Sequence, residues 1–235
     1  MELNKCIDHT NLKNTGTLKD IEKLCNEAIK YKFASVCVYP FYVRLAANLL
    51  KDTNVEVCTV IGFPSGMSTK ETKVYEAIDA VEKGATEIDM VINIAALKNK
   101  DYDYIKEEIE EIRDAIDGKV LKVIIETCLL TDEEIIKMTE ICNETFVNFI
   151  KTSTGFSEYG ARVEDVELMN KYRNEVLEIK ASGGIKDYKT AEAMIKAGAT
   201  RLGTSSGVKL MECDCVDCKC DHDHHECDCK CREEK

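Results

Sequence analysis

Short apolar segments alternate with amphipathic helical patterns along this chain, from its start to about residue 211. Several of the apolar segments are rich in Val and Ile and lack strict alternation, as expected for parallel strands covered on both faces. Eight such segments separated by helices predict an α/β fold of the (β/α)8 TIM barrel type. An open, doubly wound sheet stays possible, because the first and last segments are weak by periodicity alone. The predicted strands are Cys6–Ile7, Ala34–Val38, Glu56–Ile61, Glu87–Ile92, Leu121–Glu126, Phe146–Lys151, Val176–Lys180 and Thr200–Gly203.

Helices are predicted between the strands from apolar spacing and from capping residues. One stripe of isoleucines, Ile105 to Ile116, recurs with the helical period. Ser68–Glu71 and Thr131–Glu134 have the capping-box pattern, in which a Ser or Thr is followed three residues later by Glu. We therefore expect a helix to begin at each of these two segments.

Charge and hydropathy exclude several classes of function. The net charge of −12 argues against a nucleic-acid-binding protein. No long uncharged apolar stretch predicts a membrane span, and the first residues lack the basic start and apolar core of a signal peptide. We therefore expect a cytoplasmic protein with neither a nucleic-acid nor a membrane partner.

The 13 cysteines fall into two groups. Six are scattered through apolar segments and are typical of small core side chains, whereas seven crowd the last residues together with three histidines. The sequence thus predicts a barrel domain at residues 1–211 and a disordered or metal-binding tail at residues 212–235. Thiolate and imidazole clusters favour Zn²⁺ or Cu⁺, so a metal buffer or sensor is one hypothesis, and an inert extension is the alternative. The candidate ligands are Cys213, Cys215, Cys218, Cys220, His222, His224, His225, Cys227, Cys229 and Cys231.

Two lysines carry most of the functional prediction. Lys151 and Lys180 each end an apolar segment and are followed by small residues, which places two amines at the rim of a pocket, because the carboxyl ends of barrel strands meet on one face. A second cation and partial burial can keep an amine neutral enough to attack a carbonyl. An acid such as Asp89 could hold the second lysine and relay protons. The alternative is that both lysines are surface residues or members of ion pairs.

Glycine-rich loops after the seventh and eighth strands predict a phosphate site. Gly183 and Gly184 follow one strand, and the segment 203–207 follows the next. Exposed backbone N–H groups in such loops commonly bind phosphate in TIM barrels. A tight turn would explain a single Gly-Gly pair equally well, but two such loops favour a phosphorylated carbonyl substrate.

The segments around these residues resemble the deoxyribose-phosphate aldolase family over about residues 2–211. The resemblance is carried by Ile7–Leu12, Val36–Pro40, Thr59–Pro64, Glu87–Val91, Lys122–Thr127, Phe149–Gly155, Ile179–Gly184 and Gly203–Ser206. It implies a class I aldolase that reversibly cleaves 2-deoxy-D-ribose 5-phosphate to acetaldehyde and D-glyceraldehyde 3-phosphate, in deoxyribonucleoside catabolism. The cysteine-rich tail is not part of the resemblance.

The resemblance also implies a role for each matching residue. Lys151 would form the Schiff base, Lys180 would lower its pKa and take part in proton transfer, and Asp89 would donate and accept protons. Substrate-binding positions would be Asp8, Cys37, Thr154, Gly155, Gly183, Gly184, Ser205 and Ser206. No metal or cofactor would be needed for catalysis, because the protonated imine replaces the metal ion.

The same resemblance implies a homo-oligomer, either a dimer or a tetramer. Two other functions remain open from the sequence. The first is another Schiff-base sugar-phosphate aldolase or a transaldolase, and the second is a metal-binding protein that uses the barrel as a carrier. An assay with deoxyribose phosphate against fructose bisphosphate separates the enzymes from one another.

Overall fold

A computed structural model describes residues 2–212, and the tail ligand candidates named above lie outside them. Eight parallel strands pair in sequence order, and the first pairs with the last, so the sheet closes into a barrel. This confirms the predicted (β/α)8 TIM barrel. The strands are β1 Ile7–Asn11, β2 Ser35–Val38, β3 Glu56–Ile61, β4 Glu87–Val91, β5 Val120–Ile124, β6 Phe149–Lys151, β7 Glu178–Ser182 and β8 Arg201–Thr204.

Helices follow the strands and cover the outside of the barrel. The predicted isoleucine stripe faces the sheet, since Ile105, Ile109, Ile112 and Ile116 are all fully buried. The helices are α1 Leu18–Tyr31, α2 Val43–Leu50, α3 Lys70–Glu82, α4 Ile94–Lys98, α5 Tyr102–Ala115, α6 Asp132–Glu144, α7 Val163–Tyr172, α8 Tyr188–Ala197 and α9 Gly207–Glu212.

One of the two predicted capping boxes is present in the structure, and the other helix is capped by a neighbouring residue. Thr131 caps α6 and exchanges hydrogen bonds with Glu134, as the pattern predicts. At α3 the capping residue is Thr69 rather than Ser68, and its hydroxyl accepts a hydrogen bond from the backbone N–H of Thr72. The predicted box was therefore wrong by one position, because two adjacent hydroxyl residues offer the same cap.

The prediction for the first strand was also wrong. Cys6 ends a short 3-10 helix, and β1 runs through the polar residues that follow it, Asp8 to Asn11. The apolar pattern fails there because Asp8 points into the barrel, where it is fully buried and hydrogen-bonded to Ser35. A buried charge satisfied by partners on other strands cannot be recognised from hydropathy along one strand.

The protein has an apolar core outside the barrel sheet and a charged layer inside it. The apolar core lies mainly between the sheet and the helices and includes strand residues such as Ile88, Val123 and Ile179. Inside the barrel, charged side chains from β1, β4, β5, β6, β7 and β8 meet one another. This arrangement places the candidate site on the strands that form the barrel. Across residues 2–212, helices are all too short or too polar to cross a bilayer.

Candidate active site

Lys151 lies at the mouth of the barrel, where the predicted nucleophile should be. It is the last residue of β6, its exposed fraction is 3 %, and it lines a cavity of about 430 Å³. Its Nζ lies 2.7 Å from Oδ2 of Asp89. The amine is therefore largely withdrawn from solvent yet reaches the cavity, so the alternative of a surface lysine is excluded.

Asp89 is the centre of the charged layer. Its Oδ2 accepts hydrogen bonds from Lys151 and Lys180, both at 2.7 Å, and its Oδ1 accepts one from Lys122 at 2.8 Å. Burial opposes the ionised form, but the three ammonium groups outweigh it and hold the pKa of Asp89 well below its usual range. The side chain is fully buried, so it is a carboxylate that contacts the amines rather than bulk water.

Lys180 lies deeper than the sequence predicted. It occupies the middle of β7, which continues to Ser182, and it is fully buried instead of standing at the pocket rim. Its Nζ lies 2.5 Å from Asp8 and 2.7 Å from Asp89. Burial disfavours the charged amine, but these two carboxylates outweigh it and raise the pKa of Lys180. Lys180 is thus a protonated member of an ion pair, which the sequence had left open as an alternative.

Three further charged residues complete the cluster, and the sequence reasoning missed them. Lys122 on β5 is fully buried, and its Nζ lies 2.6 Å from Glu87 on β4. Arg201 on β8 bridges Asp8 at 2.7 Å and Glu87 at 3.1 Å. A signal existed for Lys122, because it interrupts an otherwise apolar strand, Val120–Ile124. We call these seven residues the charged cluster: Asp8, Glu87, Asp89, Lys122, Lys151, Lys180 and Arg201.

The predicted phosphate loops border the same cavity. Gly155, Gly183 and Gly184 all have positive φ, between 80° and 83°, a backbone conformation that favours glycine. A Cβ atom at Gly160 would lie 2.2 Å from the carbonyl oxygen of Gly183, so these two loops contact each other through bare backbone. The cavity-lining residues from the predicted set are Lys151, Thr154, Gly155, Gly183, Gly184 and Ser205, and Lys186 joins them.

Thr154 is held in place by the carboxylate of Glu126, which the sequence predicted only as the last residue of a strand. Its backbone N–H donates to Glu126 at 3.1 Å, and its hydroxyl donates to the other oxygen of the same group. Glu126 itself has a φ of 53°, and its exposed fraction is 3 %. The pair therefore holds the loop after Lys151 against the loop after β5.

Three predicted substrate-binding residues lie away from the cavity lining. Asp8 is buried beneath it in the charged cluster. Cys37 is buried with Cys58 in a small apolar group. Ser206 turns its backbone N–H to the hydroxyl of Thr204, at 2.9 Å. Asp8 and Cys37 lie behind the cavity lining, where direct contact with a substrate is unsupported, whereas Ser206 is half-buried next to the lining residue Ser205.

Two groups of possible metal ligands occur among residues 2–212. Cys37, Cys58 and Asp89 form one, and Asp8, Cys58 and Glu87 form the other, with the ligand atoms of each group within 4.8 Å of one another. Every carboxylate in them is already paired with a buried Lys or Arg. A metal ion would have to displace those cations, so the arrangement favours an amine-based site.

Comparisons with known proteins agree with this geometry. Residues 3–211 match the family described as DeoC/LacD family aldolase. The deoxyribose-phosphate aldolase of Thermoanaerobacter sp. (strain X514) is 56 % identical over 215 residues, covering 90 % of this chain and 96 % of that protein. The solved structure of QR15, an aldolase, has a TM-score of 0.87 and 43 % identity, covering 90 % of this chain and 95 % of that one.

A second solved structure extends the similarity to a more distant relative. The deoxyribose phosphate aldolase of Aeropyrum pernix, described as a tetramer, has a TM-score of 0.84 and 32 % identity, and 89 % of each chain is covered. The family match over residues 3–211 spans all eight strands, including those that carry the charged cluster. The chain belongs to the DeoC/LacD family of aldolases.

Proposed function

We propose that this chain is a deoxyribose-phosphate aldolase that works through a Schiff base on Lys151. The observation that carries the proposal is the position of Lys151, a nearly buried amine that lines the cavity and contacts one carboxylate, Asp89. Its relatives of more than 50 % identity act, by name, on deoxyribose phosphate. The substrate would be 2-deoxy-D-ribose 5-phosphate, cleaved reversibly to acetaldehyde and D-glyceraldehyde 3-phosphate, and the role would lie in deoxyribonucleoside catabolism.

Charge balance supports Lys151 as the amine best suited to attack. The charged cluster has four basic side chains and three carboxylates, so it is electrically balanced when one amine is neutral. Lys122, Lys180 and Arg201 each contact at least two carboxylates, whereas Lys151 contacts Asp89 alone. Conversion of Lys151 to a Schiff base therefore sacrifices the least ion pairing. The ammonium of Lys180, which shares an acceptor oxygen with Lys151, supports the same assignment.

The reaction then follows from the positions of the amines. The Lys151 amine adds to the aldehyde carbon of the open-chain sugar, and loss of water gives a protonated imine. Removal of the C3 hydroxyl proton breaks the C2–C3 bond, so that C3 becomes the aldehyde carbon of D-glyceraldehyde 3-phosphate, which leaves, and the bonding electrons pass to the imine to form an enamine. Protonation at C2 and hydrolysis release acetaldehyde and restore the amine. We assign the proton transfers to Asp89, which contacts the reacting nitrogen, and to Lys180, which contacts the same Asp89 oxygen.

The glycine loops would hold the phosphate at the other end of the cavity. Gly155, Gly183 and Gly184 present bare backbone to the cavity, and Ser205 and Lys186 add a hydroxyl and a cation. These groups are those that bind phosphate in TIM barrels. No metal or cofactor takes part in the proposed steps, because the protonated imine accepts the electrons.

Borohydride trapping tests the proposal directly. Incubation with acetaldehyde and borohydride should add one ethyl group to Lys151, located by peptide mass spectrometry. Lys151→Leu and Lys151→Arg should both abolish trapping and turnover, and the arginine variant keeps a cation beside Asp89 so that folding is controlled for. Lys196→Leu, at an exposed site on α8, should trap like the unmodified chain. Labelling of a lysine other than Lys151 would contradict the mechanism.

A substrate panel separates this activity from the other Schiff-base reactions. Deoxyribose 5-phosphate should be cleaved at least a hundredfold faster, in kcat/KM, than fructose 1,6-bisphosphate. If fructose bisphosphate is the better substrate, or if a three-carbon ketone unit is transferred, the chain is another sugar-phosphate aldolase or a transaldolase. Trapping at Lys151 would survive either of those outcomes, so mechanism and substrate are tested independently.

We also infer that residues 212–235 form a separate metal-binding tail. The inference rests on the seven cysteines and three histidines of this segment, which suit Zn²⁺ or Cu⁺. Metal analysis of the full chain, purified without a polyhistidine tag, should show metal that a chain ending at residue 211 lacks. Equal metal content in the two proteins would exclude the tail as the site.

Assembly and location complete the proposal. A homo-oligomer, dimer or tetramer, is supported by the tetrameric Aeropyrum pernix relative and by large exposed side chains such as Phe41 and Tyr75, which are 82 % and 72 % exposed. Light scattering coupled to gel filtration measures the state directly. A cytoplasmic location is supported by the six described cysteines, which are all unpaired thiols, as a reducing compartment keeps them.

A further inference from the structure

Cys37 and Cys58 form a buried thiol pair that the proposed chemistry does not use. They lie on the neighbouring strands β2 and β3 and are register partners in the barrel. Their exposed fractions are 1 % and 0 %. With Leu12 and Val60 they make a small group separate from the main core.

The backbone geometry suits a bond between the two sulfurs. Register partners on neighbouring strands have their Cα atoms about 4.8 Å apart, which lies inside the range of about 4.4–6.8 Å found for disulfides. The two Sγ atoms and one Asp89 oxygen all lie within 4.8 Å of one another. Rotation of the two side chains can therefore bring the sulfurs together while the strands keep their places.

The two thiols differ in reactivity. Hydrogen bonding with Cys58 and the nearby ammonium group of Lys180 outweigh burial and lower the pKa of Cys37. Burial and the neighbouring groups Cys37 and Asp89 raise the pKa of Cys58. A thiolate reacts with oxidants, and a thiol does not. Cys37 is thus suited to react first and Cys58 to resolve the product.

A small oxidant has a short route to the pair. Leu12 packs against the two cysteines and also lines the cavity that holds Lys151. The thiols therefore belong to a group of side chains that reaches the cavity through Leu12. Hydrogen peroxide is small enough to reach them during ordinary fluctuations of that group.

We propose that Cys37 and Cys58 close to an internal disulfide with hydrogen peroxide, and that the closed form has reduced aldolase activity. The Cys37 sulfur attacks one peroxide oxygen, the O–O bond breaks, and one water leaves after protonation, which gives a sulfenic acid. The Cys58 sulfur then attacks the Cys37 sulfur, the S–O bond breaks, and the second water leaves. Two thiols lose two electrons and two protons, and one peroxide is reduced to two waters.

The closed form changes the surroundings of Asp89. In the reduced form the Cys58 thiol lies 3.1 Å from Oδ1 of Asp89 as a donor and 3.2 Å from Nζ of Lys122 as an acceptor. In the disulfide, the Cys58 sulfur has no proton to donate to Asp89, and it lies closer to Cys37. Asp89 then loses one of the partners that orient it toward Lys151 and Lys180. This effect rests on the proposed aldolase function, for which we expect kcat of the disulfide form to be about fivefold or more below that of the reduced form.

Tryptic mapping of the full chain detects the bond without interference from the tail. Cleavage after Lys32, Arg44, Lys51 and Lys70 places Cys37 alone in peptide 33–44 and Cys58 alone in peptide 52–70. The chain is treated with peroxide in excess over its 13 thiols, alkylated with iodoacetamide and digested without reduction. We expect the two peptides to be linked, the activity to fall in parallel, and dithiothreitol to reverse both.

Two variants sharpen the test, each compared with its own untreated activity. Cys142→Ser removes a buried cysteine on α6 and should leave the 33–44 to 52–70 link and its reversal intact. Cys58→Ser should give no link, and its peroxide inactivation should resist dithiothreitol because Cys37 oxidises further. Separately alkylated peptides, or Cys37 linked to a tail cysteine, would overturn the proposal. A link that forms without loss of activity would overturn its effect on Asp89.

Because linkage is read by mass, this experiment is independent of the aldolase assignment. Failure of trapping at Lys151 would refute the proposed mechanism and leave the disulfide standing, whereas absence of the linked peptides would refute the disulfide and leave the mechanism standing.

Discussion

Replacing Lys122 by methionine is the most informative single change in the charged cluster. Lys122 is fully buried, donates to Oδ1 of Asp89 at 2.8 Å, and lies 2.6 Å from Glu87. Methionine keeps most of the side-chain length and removes the charge. The substitution therefore leaves three buried carboxylates, Asp8, Glu87 and Asp89, with one fewer cation and does not change Lys151 itself.

The size of the effect follows from the environment of the lost group. Removing one partner of a buried ion pair costs about 3–5 kcal/mol, because the remaining charge stays buried without compensation. Arg201 still contacts Glu87, and two lysines still contact Asp89, so we expect the lower part of that range. Loss of one charge-assisted hydrogen bond to Asp89, worth about 1.5 kcal/mol or more, should also lower kcat about tenfold.

Urea unfolding and steady-state kinetics, both at pH 7, measure the two effects separately. Lys73→Met is the matched control, since Lys73 is also fully buried and pairs with Glu108 at 2.7 Å, outside the charged cluster. Both variants should lose comparable free energy of unfolding, but Lys73→Met should keep its kcat when assayed well below its melting temperature. An unchanged kcat in Lys122→Met, or an equal loss in both variants, would refute the argument that Lys122 orients Asp89.

Three further outcomes are expected. Gly160→Ala should raise KM for deoxyribose phosphate severalfold more than it lowers kcat, because its Cβ would lie 2.2 Å from the carbonyl oxygen of Gly183; an unchanged KM in the kinetic assay would contradict this. Thr131→Ala should lower the free energy of unfolding by about 1 kcal/mol through loss of the α6 cap, and kcat measured in parallel should stay the same. The melting temperature should fall as the pH drops below about 4. Asp8 and Asp89 have folded-state pKa values below the unfolded value of about 3.9. The stabilisation that these two carboxylates contribute is therefore present above that value and is lost as the pH falls toward their folded-state pKa values. A melting temperature that does not change between pH 5 and pH 3 would contradict this.

Much of the fold could be predicted because the helices carry a strong period and parallel strands are continuous apolar runs. The positions of Lys151 and of the glycine loops were also predictable, since each stands at the end of a strand, where the sequence changes from apolar residues to small and polar ones. These features depend on residues close together in the sequence, so short segments are enough to predict them.

The charged cluster could be predicted only in part, because its members satisfy one another across the barrel. Arg201 pairs with Asp8, which lies 193 positions away in the chain. Lys122 stands inside an apolar strand, and Lys180 seemed to end a strand that continues beyond it. At Lys180, nothing in the local sequence distinguishes a buried lysine with two carboxylate partners from one that reaches into solvent. Only the closed barrel supplies the partners.

A charged layer inside the barrel has a consequence for laboratory evolution of this protein. Members of that layer support folding and catalysis together, so a library that randomises them would lose expressed protein before it explored new substrates. The side chains at the cavity mouth, such as Phe156, which is 51 % exposed, and Lys186, belong to surface loops and touch the cavity without entering that layer. Substrate range is therefore best diversified at the mouth, with the layer beneath it left constant.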